Sequence, residues 1–277
     1  MLKSLVVGVS GSTSSQAAAR LAMQWGQAHD AKVIGVAAFD DKQLAPAKSV
    51  LLGGGQFKAE RDQNVLAQAE SRLEEVLKDF DRGCQIAGVQ HRSFLTRGNA
   101  ADRLTEHAQR ADLLVVGHQR LESTKSIAPT TDTLTTSIKR AVRPIVCVSG
   151  PTSPASSVLV AYDGSPQAAR TLAAFVGLGL FADLPVRLIT IEKSLGDLAY
   201  DTTLASEYLE AHGFKIDVTC FTSDESPSEA LLRLIDETHP ALVVLGAFGK
   251  SWLHEVFVGS VTMTLLRRSN APLFLFH

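Results

Sequence analysis

Cysteine is scarce in this 277-residue chain: Cys84, Cys147 and Cys220 stand far apart with no CxxC spacing. That argues against a disulfide framework and a structural zinc site, and it favours a reducing cytoplasm. Long apolar runs are missing too. None approaches the ~20 residues needed to span a bilayer, and the opening MLKSLVVGVSGS is too short in apolar residues for a secretory signal. No membrane span is therefore expected. A strong net charge is also absent, the formal value being −2. Residues 1–150 carry 19 Lys and Arg against 15 Asp and Glu, and residues 151–277 carry 8 against 14, so neither half is basic enough to suggest a nucleic-acid partner. With 45% hydrophobic and 20% charged residues, the chain has the composition of a globular protein. Its length suits one large domain or two of ordinary size.

What is present is a repeat. KSLVVGVSGSTSSQAA (3–18) returns as SVLVAYDGSPQAA (157–169), and VIGVAAF (33–39) as VRLITIE (186–192). Further along, DLLVVG (112–117) matches ALVVLG (241–246), and RPIVCV (143–148) matches APLFLF (271–276). The register slips by about two dozen residues between these pairs, so the first half carries an insertion around KSVLLGGGQFKAERDQN (48–64); its GGG (53–55) reads as a flexible loop. The Ser- and Pro-rich SGPTSPASS (149–157) reads as a linker between units 1–150 and 151–277.

Each half alternates strand and helix. LVVGV and VLVAY are nearly all apolar, as suits parallel strands buried on both faces. The Ala-rich segments 16–29 and 166–180, the amphipathic 64–80, and 100–110 and 227–239 have helical spacing. Ser226 and Glu229 stand at capping-box spacing. The pattern predicts two tandem α/β domains, each a doubly wound, five-stranded parallel sheet, with ligands bound beyond the carboxyl ends of the strands.

At that edge of the second half lies GAFGKSWLHEVFVGS (246–260). Gly246 and Gly249 follow a strand and permit backbone N–H groups to approach a phosphate. Gly259-Ser260 opens the next helix, whose N-terminus suits an anion. Ser260 adds a hydroxyl, with Thr262 one turn-position further on. Asp163 ends the first strand in Asp-Gly-Ser, where it reads both as an acceptor for a ligand and as a turn residue.

The spacing G-x2-G-x9-G-[ST], the strand ending in D-G-S and the closing APLFLF together resemble the universal stress protein family, in both halves. The resemblance implies a tandem, pseudo-twofold pair of Rossmann-like domains and an adenine-nucleotide site: ATP, or AMP or ADP, with or without Mg2+. It assigns Asp163 to the nucleoside and the main chain of Ile191 to the adenine. Gly246, Gly249, Gly259 and Ser260 fall on the ribose and phosphate positions, with Val261 and Thr262 following in the helix. It further implies pairing of the closing strands, satisfied within this chain or in a homodimer.

The first half departs from the pattern. Gly117 remains, but Arg120 replaces the second glycine, Thr130, Thr131 and Asp132 replace Gly-Ser, and Ser10 replaces the acidic residue. One working site, in the second half, is expected. No residue stands out as a general base and no metal-ligand spacing is present, so turnover is expected to be slow or absent. Two other readings stay open: a weak ATPase with Asp163 or His254 assisting water, and a scaffold whose first half binds another small ligand. His118 reads as a surface or capping residue.

Overall fold

The computed structural model describes residues 1–46, 55–118, 129–151, 156–192, 198–222, 225–246 and 259–276. Its first half runs β1 (Ser4–Gly8), α1 (Thr13–His29), β2 (Lys32–Phe39), α2 (Asp41–Leu44), α3 (Gly55–Ile86), β3 (His91–Arg97), α4 (Ala100–Ala108), β4 (Leu113–Gly117), α5 (Pro129–Arg140) and β5 (Ile145–Val148). The second runs β6 (Val158–Ala161), α6 (Pro166–Leu178), β7 (Val186–Glu192), α7 (Leu198–Ala211), β8 (Ile216–Thr222), α8 (Pro227–Thr238), β9 (Leu242–Gly246), α9 (Ser260–Arg268) and β10 (Leu273–Phe276).

Side-chain caps fix where several helices begin. Ser12 Oγ accepts from Ser15 N–H (3.2 Å), and Ser165 Oγ from Ala168 N–H (3.1 Å). Asn99 accepts from Ala101 and Asp102 N–H. Ser226 Oγ accepts from Glu229 N–H at 3.3 Å, which is half of the expected capping box. The Glu229 carboxylate instead accepts from Arg268, tying α8 to the last turn of α9. Helix α3 is far longer than its apolar stripe. Residues 55–63 lack that stripe but are rich in helix formers, and Lys58 pairs with Asp62 one turn on (3.9 Å). Gly55 thus opens a helix where a loop was expected; Gly53 and Gly54 lie outside the described residues, as do linker residues 152–155.

The strands form one ten-stranded sheet in the order β3-β2-β1-β4-β5-β10-β9-β6-β7-β8. Neighbours are parallel within each half, for example Val6 opposite Ile34 and Val160 opposite Leu188. The seam is antiparallel: Leu273, Phe274 and Leu275 of β10 face Cys147, Val146 and Ile145 of β5. The carboxyl ends of the strands therefore point to opposite edges of the sheet in the two halves. The strands that close each repeat lie at the centre, and the outer edges are β3 and β8.

Apolar layers cover both faces. One, under α1, α3, α6 and α7, runs across both halves, where Trp25 meets Phe181 edge-on (5.7 Å) and Phe175 meets Phe274 (6.0 Å). The other lies under α4, α5, α8 and α9. Among the described residues no helix is long and apolar enough to cross a membrane.

The cysteines divide by this layering. Burial, with a smaller push from the Asp81 charge, raises the Cys84 thiol to about 12; burial alone raises Cys147, while Cys220 is exposed on β8. A thiol reagent at neutral pH is expected to modify one cysteine per native chain, Cys220, and three after denaturation. Rapid labelling of Cys84 or Cys147 in the native protein would contradict the packing.

Candidate functional site

The chain leaves β6 for β7 on one side and later returns to β9 on the other. Such a reversal opens a crevice between the carboxyl ends of the two central strands, where doubly wound sheets hold ligands. Val160 pairs with Val244, so Asp163 and Gly246 come off adjacent strands at nearly the same level.

Asp163 is exposed, and its Oδ1 accepts from Ser165 N–H at 3.0 Å. Gly164 between them has φ of 70°, which glycine adopts without strain. The carboxylate thus forms the turn with one oxygen, and an ionised carboxylate has acceptor capacity to spare for a ligand. The turn and ligand readings of Asp163 are compatible. Ile191 pairs with Phe221 in β7–β8 and packs its side chain on the layer under α8 and α9.

Gly246 has a packing role of its own. A Cβ there would lie 3.2 Å from Ala168 N and 3.3 Å from Gln167 C, in the first turn of α6. Its counterpart Gly117 is tighter, with Ser14 C and Ser15 N of α1 at 2.4 Å. Both glycines let the first helix of their half cross the end of the fourth strand. Gly259 caps α9 and forms no side-chain cap bond, in contrast to Ser12, Asn99, Ser165 and Ser226. Met263 N–H donates to Gly259 O (3.0 Å), the first bond of the helix, so the helix offers no acceptor to Ser260 and Val261 N–H. Ser260 is exposed and Val261 half-buried, while Thr262 is buried with Oγ1 3.5 Å from Gly246 O. That contact ties the start of α9 to the end of β9. Gly249, Arg120 and His254 lie outside the described residues.

The first half is built differently at the same level. Matching Arg140 to Arg268 sets Thr131 against Gly259, yet Thr131 lies inside α5, which begins at Pro129. Thr130 and Asp132 are in the same helix. Exposed Ser10 stands in place of Asp163, its Oγ 3.1 Å from Ser12 Oγ. His118 is buried rather than on the surface, and its backbone N–H donates to Val148 O at 2.9 Å, extending the β4–β5 ladder.

One group escaped the sequence reading. Thr190, Thr202 and the carbonyl of Tyr162 are hydrogen-bonded together just beneath Asp163 and Ile191. The signal was slight: one hydroxyl within the otherwise apolar LITI of β7.

A doubly wound sheet with this crevice defines the class of fold. The model of the universal stress protein family matches residues 1–148 and again 155–277. The chain belongs to the universal stress protein family, with two of its domains in tandem. It is 32% identical over 123 residues to universal stress protein Slr1230 of Synechocystis, a match covering 44% of this chain and 42% of that one. The chain thus spans less than half the length of that relative. A universal stress protein structure from Archaeoglobus fulgidus shares the fold with a TM-score of 0.75 and 16% identity, over 98% of this chain and 97% of that one. Protein PA1789 of Pseudomonas aeruginosa, described as functionally unknown, gives a TM-score of 0.64 at 11% identity, covering 99% and 92%.

The glycine geometry yields a graded expectation. Gly117→Ala should destabilise the protein by about 3 kcal/mol, because rigid backbone stands in the way, whereas Gly246→Ala should cost about 1 kcal/mol. Denaturant unfolding measures both, and equal costs would contradict the contrast.

Proposed function

We propose that the protein binds an adenine nucleotide, ATP foremost and AMP or ADP in its place, at the carboxyl edge of its second domain. The observation that carries this reading is the meeting of three things at the β6–β9 crevice: an exposed Asp163, the end of β7 at Ile191, and an α9 N-terminus capped by glycine alone. Asp163 accepts hydrogen bonds from the nucleoside, and the main chain at Ile191 lies along the base. Gly246, Gly249, Gly259, Ser260, Val261 and Thr262 surround ribose and phosphates, with first-turn N–H groups and the helix dipole favouring the negative charge. Mg2+ enters on the phosphates. The first domain, residues 1–150, lacks the acidic residue and the glycine cap and does not bind in this manner; residues 151–277 carry the site.

Turnover is slow or absent, since the exposed Asp163 is engaged in its own turn and, among the described residues, has no partner that would make it a base. The nucleotide then acts by population shift, biasing a partner surface in a cytoplasmic stress response. The two domains dock on each other within one chain through β5 and β10.

Calorimetric titration with ATP, with and without Mg2+, tests the reading. Asp163→Asn should weaken binding about tenfold, as expected for hydrogen bonds to a charged group. Gly259→Val should weaken it at least as much, by crowding the phosphate approach. No saturable binding to the unaltered protein, or full affinity in both variants, overturns the proposal.

A further inference from the structure

Tyr162 lies one residue beyond β6 and one before Asp163, yet both of its backbone polar groups are tied to β7. Its N–H donates to Ile189 O at 2.9 Å, and its carbonyl accepts from Thr190 Oγ1 at 3.2 Å. Thr190 Oγ1 is also 2.9 Å from Thr202 Oγ1 on α7. A carbonyl only accepts, so the one proton of Thr190 goes to Tyr162 and Thr202 donates to Thr190. Thr190 and Thr202 are 3% and 1% exposed, where a hydroxyl without a partner would be costly. The result is a buried relay from α7 through β7 to the residue that launches Asp163.

The duplicated half provides an internal comparison. The bond from Tyr162 N–H to Ile189 O has its equivalent in Val9 N–H to Val36 O, also 2.9 Å. The side-chain clamp has none. The counterpart of Thr190 is Ala37, which has no hydroxyl, and the Ala37 carbonyl accepts from Thr96 on β3 instead. The clamp accompanies the half with the intact glycine motif and is missing where Asp163 has become Ser10.

We infer that Thr190, supported by Thr202, is a positioning residue of the second-domain site, holding the β6 and β7 ends at the spacing at which Asp163 and the Ile191 main chain grip one nucleoside. The inference rests on the nucleotide reading above. It assigns α7 a part in the site, since Thr202 carries the strand spacing to that helix.

Two readouts test it on the full chain: ATP affinity, and amide hydrogen exchange without nucleotide at Tyr162 and Ser165, whose N–H groups are hydrogen-bonded. Thr190→Val keeps the branched shape and removes the hydroxyl. It should weaken ATP about fivefold and speed exchange at Tyr162 and Ser165 by a similar factor, the scale of one buried hydrogen bond. Exchange at Leu159 and Val160 should stay unchanged. Thr190→Ser, which keeps the hydroxyl, should restore both readouts. If the unaltered protein binds ATP and Thr190→Val binds it equally well, the inference falls and the nucleotide reading stands. If Thr190→Ser is as impaired as Thr190→Val, the effect is packing and the inference falls as well. No ATP binding by the unaltered protein overturns the nucleotide reading, and this inference with it. Should Thr190→Val fail to fold, Thr202→Val carries the test from the helix side, with an expected loss of about threefold through the weakened network and unchanged affinity as the overturning result.

Discussion

Strand β6 is held between β7 on one side and β9 on the other, and the layout of the second-domain crevice follows from that placement. Parallel pairing on both sides fixes the level at which the three strands end, so Asp163, Ile191 and Gly246 emerge together. The two helices that border the crevice are pinned to the same strands. Helix α6 crosses so near Gly246 that a side chain there would crowd its first turn, and Thr262 sets the start of α9 against the Gly246 carbonyl.

The antiparallel seam between β5 and β10 sets what the two domains can do for each other. It merges their sheets and both apolar layers, so stability is shared across the halves. It also points their carboxyl edges apart, so the two crevices open at opposite edges of the sheet. The two copies of the duplicated crevice differ. The first kept the glycine its helix crossing needs, Gly117, while its fifth helix extended back through the position matching Gly259. Ion pairs joining the last two helices of each half, Asp102 with Arg140 and Glu229 with Arg268, persist in both. Features that serve packing are common to the halves, and the acidic residue and glycine cap belong to the second.

Much of this was legible in the sequence because apolar β-strands and helix caps are local signals. The repeat, the strand–helix alternation and the strand ends at Gly117 and Gly246 could be read directly from apolar runs. Local patterning could not extend α3 to Gly55, because its first turns carry no apolar stripe and even Phe57 is exposed. It also could not tell that Gly246 answers to Ala168 and Gln167, since the helix crossing is set by tertiary packing. His118 was read as a surface or capping residue because a lone polar residue after a strand ordinarily is one; here its backbone extends the ladder with β5 and the residue is buried. The Thr190–Thr202 contact joins residues on separate elements, and no spacing rule announces it.

The central claim is that one crevice, at the end of β6 and β9, takes the nucleotide. Photolabelling with an azido-adenine nucleotide followed by peptide mapping tests it most directly. Label is expected to be confined to second-domain peptides containing Asp163, Ile191 or residues 246–262, displaced by unlabelled ATP and saturating at one per chain. Displaceable label in the first domain, at residues 8–15 or 32–39, or two equivalents per chain, would contradict it.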